Sequence, residues 1–385
     1  KLAVTPTLVP SASPTGSSSL PPETSTPAAD ALQATVAAGL PPTATPDAAG
    51  DRPWGEADVG VLPLQVGEDD ASLWAVYSQG MGVHDPALGH YVAIYGQTGE
   101  DWQELDRVVL TSCAEYVGTD SLVQVQLEPS RIWLEMLSGA GAHSGCYDLL
   151  SFDGQSLRLE ASHTHSSPGA GWLEDLDADG IAEVILDQTE NYVFCYACGL
   201  RFPAFRVLRW DGDRLAEVKL AELSLEAPAE LRGPNDRAVA LARAGLWKAA
   251  QARMVEVQGD DLQDPELASI VAWNAALIDL QASAMAEQGR AGVYPLLESA
   301  FYGDCDAAVE AMRPYDVDQI WGPETPLVVG TAAEGWEFEL TDWLSRTTNL
   351  ALQAQPDLAP ALFLRGWGEH LKRPGAPQVV ADVEQ

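Results

Sequence analysis

The chain has 385 residues, enough for two or three domains with sizeable hydrophobic cores. Its 57 acidic and 21 basic residues give a formal net charge of −36, which disfavours nucleic acids and anionic membrane surfaces as partners and favours divalent cations and basic proteins. No apolar run of about 18 residues or more occurs, so the sequence predicts no transmembrane segment in this chain.

Residues 1–56 are predicted to form an extended tail or stalk. Of the first 50 residues, 23 are Pro, Ser or Thr, and such a composition buries too little apolar surface to fold alone. An O-glycosylated stalk and a flexible linker are both open alternatives. The composition of this tail favours export. The chain begins at Lys1 rather than Met, so we expect a processed or trimmed product, with any signal peptide or lipid-anchor cysteine upstream.

Residues 57–226 are predicted to fold into three copies of a four-stranded antiparallel β unit. An aromatic residue that ends an apolar strand before a glycine-containing turn recurs at Tyr95, Phe152 and Trp210, at intervals of 57 and 58 residues. Two apolar strands precede each of them, such as LVQVQL and RIWLEMLSG in the second copy. Four short strands in about 50–60 residues are typical of a propeller blade.

The third copy, DLDADGIAEVIL followed by FRVLRWDG, resembles the FG-GAP/VCBS-type β-propeller-like repeats of extracellular proteins. In that family D-x-D-x-D-G loops hold calcium, so the resemblance implies a calcium-binding propeller-like domain. Three units are fewer than a closed propeller contains. An open fragment, a ring completed by other elements or copies, and a different three-sheet arrangement are all open alternatives.

Residues 174–186, EDLDADGIAEVIL, contain the predicted Ca²⁺ site. Calcium takes six to eight hard oxygen ligands, and a D-x-D-x-D-G loop directs alternate carboxylates inward while glycine permits the turn. The loop is not an EF-hand, because Leu186 stands where an EF-hand has glutamate and an apolar strand follows. The predicted ligands are the side chains of Asp175, Asp177, Asp179 and Glu183 and the backbone carbonyl of Ile181.

Four histidines are candidates for a transition-metal site. Matching loops end the second strand of the first two units, as GMGVH and GAGAH, and the segment SHTH adds two more histidines. Propeller loops converge near the axis, where imidazoles can hold such a metal. The alternative, which the pattern favours, is hydrogen bonding within their own units. The four are His84, His143, His163 and His165.

Five cysteines in an exported chain predict disulfides and one thiol left over. The segment CYAC can be a redox pair, half of a zinc site or a small-loop disulfide. Since no second C-x-x-C and no thioredoxin-like context accompanies it, we favour a Cys195–Cys198 disulfide. A second bridge, Cys113–Cys146, is predicted between neighbouring units, and Cys305 remains the free thiol.

Catalytic motifs are missing from the sequence. It contains no G-x-S-x-G, no H-E-x-x-H, no P-loop and no G-x-G-x-x-G that opens a helix after a strand. Paired acids carry little information in so acidic a chain. We therefore predict that the protein is not an enzyme. The remaining alternative, a hydrolase, needs a pocket that gathers the histidines with a perturbed carboxylate.

Residues 227–375 have a helical period and are rich in alanine. The segments ARAGLWKAA, with Gly245 at its turn, and ALQAQPDLAPALFLRGW, with Pro356 between its helices, resemble tetratricopeptide (TPR)-like helix pairs. Residues 303–316 repeat the second-helix pattern, and a loop of about twenty residues, RPYDVDQIWGPETPLVVGTAAEG, interrupts the repeats from residue 313. About three pairs are near the minimum for a stable solenoid, whose concave face implies peptide or subunit partners. Residues 376–385 are predicted to form an extended C-terminal tail.

The predicted fold is multidomain β + α: an extended tail, three propeller-blade-like units and a TPR-like α-solenoid. We expect a non-catalytic, exported bacterial surface protein for adhesion, scaffolding or subunit assembly, with protein partners or further copies of itself and possible glycan ligands. One alternative is a self-assembling structural subunit of an extracellular filament, sheath or surface layer. Another is a carbohydrate- or peptide-binding surface lipoprotein. Fold resemblance is an associational argument for function.

Overall fold

The computed structural model of this chain describes residues 27–39, 58–65, 73–81, 89–99, 101–110, 115–141, 143–191, 201–257, 264–290 and 295–373. Across these ranges the protein is a mixed β and α structure. Its strands form a curled antiparallel half-barrel sheet and a smaller antiparallel sheet, and most of its helices follow them in the chain. The prediction of a combined β and α fold is therefore confirmed.

Twelve of the strands in this part of the chain form three antiparallel units, within which strands pair in chain order. The first unit contains β1 (Asp58–Leu64), β2 (Leu73–Met81), β3 (Tyr91–Thr98) and β4 (Asp101–Val109). The short β5 (Tyr116–Val117) precedes the second unit, which contains β6 (Leu122–Val125), β7 (Ile132–Gly139), β8 (Gly145–Phe152) and β9 (Leu157–His165). The third unit contains β10 (Gly171–Glu174), β11 (Glu183–Asp187), β12 (Phe205–Trp210) and β13 (Leu215–Glu217).

Strand β5 joins the first two units into one nine-stranded sheet. It pairs with the end of β2 at Gly80 and Met81 and with β7 at Gly139, so the strand order is β4-β3-β2-β5-β7-β8-β9, with β1 paired to β2 and β6 to β7. The outermost strands of this curled sheet approach each other, and the backbone amide of Leu157 on β9 donates to Asp106 Oδ2 on β4 at 2.7 Å.

Strand β8 is buried along its whole length because both of its faces are covered. Leu150 and Phe152 belong to the core inside the curled sheet. On the opposite face, Tyr147 and Leu149 pack in a second core with residues of the third unit, among them Trp210. Burial of apolar area on both faces therefore attaches the third unit to the outside of the half-barrel.

A helix, α1 (Pro27–Gly39), lies within the segment that was predicted to be an extended tail. Leu32 and Val36, four residues apart on one helix face, are buried against Trp74 and Tyr91 of the first unit. Gln33 Nε2 donates to the backbone carbonyl of Val59 at 2.8 Å. The prediction that residues 1–56 are extended throughout is wrong for these thirteen residues, because an alanine-rich stretch with two apolar anchors gains stability by docking. The other residues of 1–56 lie outside the described ranges.

The C-terminal part is helical, as its periodicity predicted. Gly245, with φ of +76°, makes the turn between the first two of these helices at the predicted position. A second turn glycine, Gly303, lies against it: a Cβ on Gly303 would stand 2.5 Å from Gly245 O. The helices are α2 (Ala229–Arg243), α3 (Trp247–Met254), α4 (Pro265–Arg290), α5 (Pro295–Phe301), α6 (Cys305–Met312), α7 (Val317–Trp321), α8 (Glu337–Ala354) and α9 (Ala359–Lys372).

The segment predicted as a loop after residue 313 contains the short helix α7. Asp316 caps α7, because its side chain accepts from the Gln319 amide while the Gln319 side chain accepts from the Asp316 amide. The fully buried Trp367 of α9 donates from Nε1 to Ile320 O at 3.2 Å, which attaches α7 to the helical core. The predicted extended tail 376–385 lies outside the described residues.

Helix α4 covers the third β unit. Trp273 is buried with Ile185 and Val207 from the sheet, and Leu277 adds to the same cluster. The stretch Pro265–Gln288 is long and apolar enough, by length and composition, to cross a membrane. Core helices of folded proteins meet the same criterion, and Trp273 and Leu277 of α4 pack against the sheet.

Candidate metal centre

The D-x-D-x-D-G loop connects β10 to β11 at the side of the third unit that faces α3 and α4. Its own carboxylates hold its shape: Asp175 Oδ1 accepts from the Asp179 amide at 3.1 Å, Asp175 Oδ2 from the Gly180 amide at 2.9 Å, and Asp179 Oδ1 from the Ile181 amide at 2.8 Å. Ala178 and Gly180 both have positive φ, +59° and +89°. These turns bring alternate aspartates to one side of the loop.

Glu183, the first residue of β11, is fully buried. Its Oε2 accepts from the Leu176 amide at 3.0 Å. Its Oε1 has no hydrogen-bond partner and lies 4.0 Å from Arg209 Nε. Burial raises the pKa of Glu183 to about 7, and repulsion from Asp177 adds to the rise, although the Leu176 amide opposes it.

Three carboxylates of the loop converge on one point. One oxygen each from Asp175, Asp177 and Glu183 can be chosen so that all lie within 4.8 Å of one another. An all-oxygen set of this kind suits a hard cation such as Ca²⁺, and the unpartnered buried oxygen of Glu183 gives a cation something to satisfy. Asp179 lies beside this group but pairs with Arg209, and the side chain of Ile181 is exposed. The residues therefore fit a divalent cation.

Arg209 of β12 is a member of this site that sequence reasoning missed. Its Nη1 donates to Asp177 Oδ2 at 2.9 Å, and its Nη2 donates to Asp179 Oδ2. The guanidinium carbon also lies 5.1 Å from the centre of the Trp273 ring on α4, a cation–π geometry. One side chain thus connects the acidic loop to the helix that covers the sheet.

Three of the four candidate histidines are described, and two of them lie together. On β9 the His163 and His165 rings stack at 6.4 Å, and each Nε2 lies 2.7 Å from a backbone carbonyl, of Asp187 and Thr189 respectively. His143 is exposed, and His84 is outside the described residues. Within the described ranges, the carboxylate cluster is the group of three or more His, Cys, Asp or Glu side chains close enough to share an ion. A histidine site that includes His84 stays a prediction.

Two of the five cysteines lie in the described ranges. Cys146 on β8 is disulfide-bonded, and its partner lies outside the described ranges. Cys113, Cys195 and Cys198 lie there as well, so the pairings Cys113–Cys146 and Cys195–Cys198 stay predictions. Cys305, at the start of α6, is a free and buried thiol.

Two clefts run along α4 on either side of the acidic loop. The larger, of ≈ 630 Å³, lies between the loop and helices α3 and α4. The smaller, of ≈ 430 Å³, lies between the third sheet and α4. The described lining of the smaller cleft includes two aromatic and four acidic side chains and no basic one: Trp172, Phe205, Glu174, Asp175, Asp279 and Glu287.

Comparison with known proteins gives no match for this chain, either to a protein-family model or to a curated protein.

Proposed function

We propose that this protein is a non-catalytic extracellular or cell-surface protein for adhesion, scaffolding or subunit assembly, in which Ca²⁺ stabilises the third β unit. The observation that carries the proposal is the buried carboxylate of Glu183: its Oε1 has no hydrogen-bond partner, and one of its oxygens lies within 4.8 Å of carboxylate oxygens of Asp175 and Asp177. An unpaired buried carboxylate oxygen costs folding free energy. A cation held by these residues offsets that cost.

The position of the loop supports a structural role for the cation. Leu176, inside the loop, packs against the cluster that Ile185 and Val207 form with Trp273 of α4. A cation that stiffens the loop therefore stiffens the joint between the β units and the helices. A stable joint between two repeat-like parts suits a scaffold, which must present its surfaces at a constant relative angle.

The repeat resemblances also support an interaction role. We take the three four-stranded antiparallel units as FG-GAP/VCBS-type repeats and the successive helices as TPR-like pairs, on their sequence resemblance. Both kinds of repeat serve mainly as binding platforms. The net charge of −36 favours basic partners over acidic ones. Export is proposed on the same resemblance and on the composition of the N-terminal segment.

The test is sedimentation velocity with negative-stain imaging and thermal unfolding of the whole chain, in calcium and then in excess chelator. A calcium-dependent rise in melting temperature, lost in Asp177→Asn, is the expected result, with Asp213→Asn on an exposed turn of the same unit as the matched control. Oligomers that dissociate in chelator would favour subunit assembly. Identical melting in both solutions, with or without Asp177, would contradict the calcium proposal.

A second candidate function, peptide binding, is favoured by the smaller cleft along α4. Four of its 11 lining residues are acidic, a larger share than the 57 acidic residues among the 385 of the chain. None of its described lining residues is basic. Lysine- or arginine-rich peptides are the matching ligands, with their methylene stems on Trp172 and their charges near Asp279 and Glu287. Binding of such a peptide should weaken with added salt and in Asp279→Asn. Salt-independent binding would point to another surface.

A further inference from the structure

We infer that Arg209 is an internal competitor for the cation of the Asp175–Glu183 loop and that it couples occupation of this site to helix α4. The inference rests on the proposed cation site and names what regulates it. Arg209 contacts the loop on one side and Trp273 on the other. The D-x-D-x-D-G motif does not include Arg209, which lies on β12, so the motif alone does not predict this role.

The charge balance shows why Arg209 competes. When all four side chains are ionised, Asp175, Asp177, Asp179 and Glu183 carry four negative charges, and Arg209 supplies one positive charge, which leaves −4 + 1 = −3 in the metal-free loop. The residual charge still attracts a divalent cation. Once that cation is bound, however, it faces a guanidinium within the same cluster, and like charges a few ångströms apart repel.

The hydrogen bonds show which oxygens are contested. Arg209 Nη1 uses Asp177 Oδ2 at 2.9 Å, and Arg209 Nη2 uses Asp179 Oδ2. Asp177 also belongs to the trio whose oxygens converge. A cation that attracts the carboxylates of Asp177 and Asp179 therefore weakens their hydrogen bonds with Arg209. The arginine holds the loop together when the cation is absent and opposes the cation when it is present.

The coupling to α4 passes through Trp273. Arg209 shares the covered face of β12 with Val207, and the guanidinium lies over the Trp273 ring at 5.1 Å. The Arg209 side chain is 28% exposed, so it has room to shift when its carboxylate partners are withdrawn. A shift changes what covers Trp273 and therefore the contact of α4 with the sheet.

The experiment measures calcium binding to the full chain by isothermal titration calorimetry for the wild type, Arg209→Met and Arg206→Met. Arg206→Met is the matched control, since Arg206 lies on the same strand and pairs with Glu217 at 3.4 Å rather than with the acidic loop. Arg209→Met should bind calcium about tenfold more tightly, the scale expected for removing one nearby repulsive charge. Arg206→Met should stay within about twofold of the wild type.

Hydrogen exchange of the α4 peptide that contains Trp273 tests the coupling. Calcium should change its exchange in the wild type and in Arg206→Met, and the change should be lost in Arg209→Met. If Arg209→Met folds only with calcium present, Arg209→Lys replaces it: the single ammonium cannot bridge Asp177 and Asp179, so its affinity should lie between those of the wild type and the competitor-free site.

The outcomes separate the two proposals. Calcium affinity in Arg209→Met that equals or falls below that of the wild type overturns the competitor role and leaves the cation site intact. An α4 exchange change that persists in Arg209→Met overturns the coupling. Absence of calcium binding in the wild type, in Arg209→Met and in Arg209→Lys overturns the cation site itself, and this inference with it.

Discussion

Glu183→Gln separates two opposite effects of the buried carboxylate. The substitution keeps the size of the side chain and an oxygen that can accept from the Leu176 amide, but it removes the charge. In the metal-free protein the charge is buried and poorly compensated, so its removal should stabilise the fold. In calcium the charge is a ligand, so its removal should abolish the gain that calcium gives.

The magnitude follows from the environment of Glu183. Burial raises its pKa from an ordinary 4.5 to about 7. At about 1.36 kcal/mol per pKa unit, the ionised carboxylate costs the metal-free folded state about 3 kcal/mol at pH 8. Because the pKa is raised in the folded state, the protonated carboxyl stabilises the fold below about pH 4.5, and this contribution is lost as the pH rises through about 7.

The assay is urea unfolding in chelator at pH 5 and at pH 8. The stability of Glu183→Gln relative to the wild type should rise by about 2 kcal/mol or more between these two pH values. Calcium at about a hundred times its dissociation constant should add about 2.7 kcal/mol to the wild type and little to the variant. Glu174→Gln is the matched control, since Glu174 is exposed and lies opposite Glu183 in the strand register.

One combination of results would refute this reasoning. If Glu183→Gln is destabilising by the same amount at both pH values and still gains stability from calcium, Glu183 is an ordinary partner of Arg209 and the Leu176 amide. The unpartnered Oε1 would then have no bearing on a cation, and the acidic loop would be a solvated turn held by its own hydrogen bonds.

Three further substitutions or reactions test the described structure elsewhere. Gly303→Ala should destabilise by about 1–3 kcal/mol in urea unfolding, because the residue has positive φ and its Cβ would meet Gly245 O; unchanged stability would contradict the turn contact. Burial raises the pKa of Cys305 to about 12, so its thiol should resist alkylation at pH 8 until the protein is unfolded. Peptide mass spectrometry measures the alkylated fraction, and alkylation of Cys305 in the native protein would show that this thiol is not buried. Leu32→Ala should cost about 2–5 kcal/mol and expose α1 to proteolysis; unchanged cleavage would mean that α1 is not docked.

The strands and the main helix turns could be predicted from the sequence because their signals are local. Alternating apolar residues and a turn after Tyr95, Phe152 and Trp210 mark the hairpins, and Gly245 marks a helix end. The curled sheet could not be predicted in the same way. It depends on β5, two residues long, which pairs with strands that lie far from it in the chain. So short a strand leaves no periodic signal.

Helix α1 was missed for a different reason. The composition of residues 1–56, rich in Pro, Ser and Thr, describes the average of the segment and hides an alanine-rich stretch. Its stability comes from Leu32 and Val36 packing on the first unit, a long-range contact rather than a local propensity. A spacing of four between two apolar residues in an alanine background was the available signal.

Arg209 shows where pattern reasoning about the site could have gone further. In the strand FRVLRW, residues 205, 207 and 209 share one face, and the first two are apolar and covered by α4. An arginine on a covered face is costly without carboxylate partners, since a guanidinium stays charged at every physiological pH. The loop before β11 is rich in acids and adjoins β12 through the sheet, so it is the nearest source of such partners. The alternation of β12 therefore predicts that Arg209 contacts the acidic loop. Any cation that binds to this loop must then either displace the Arg209 guanidinium or bind beside its positive charge.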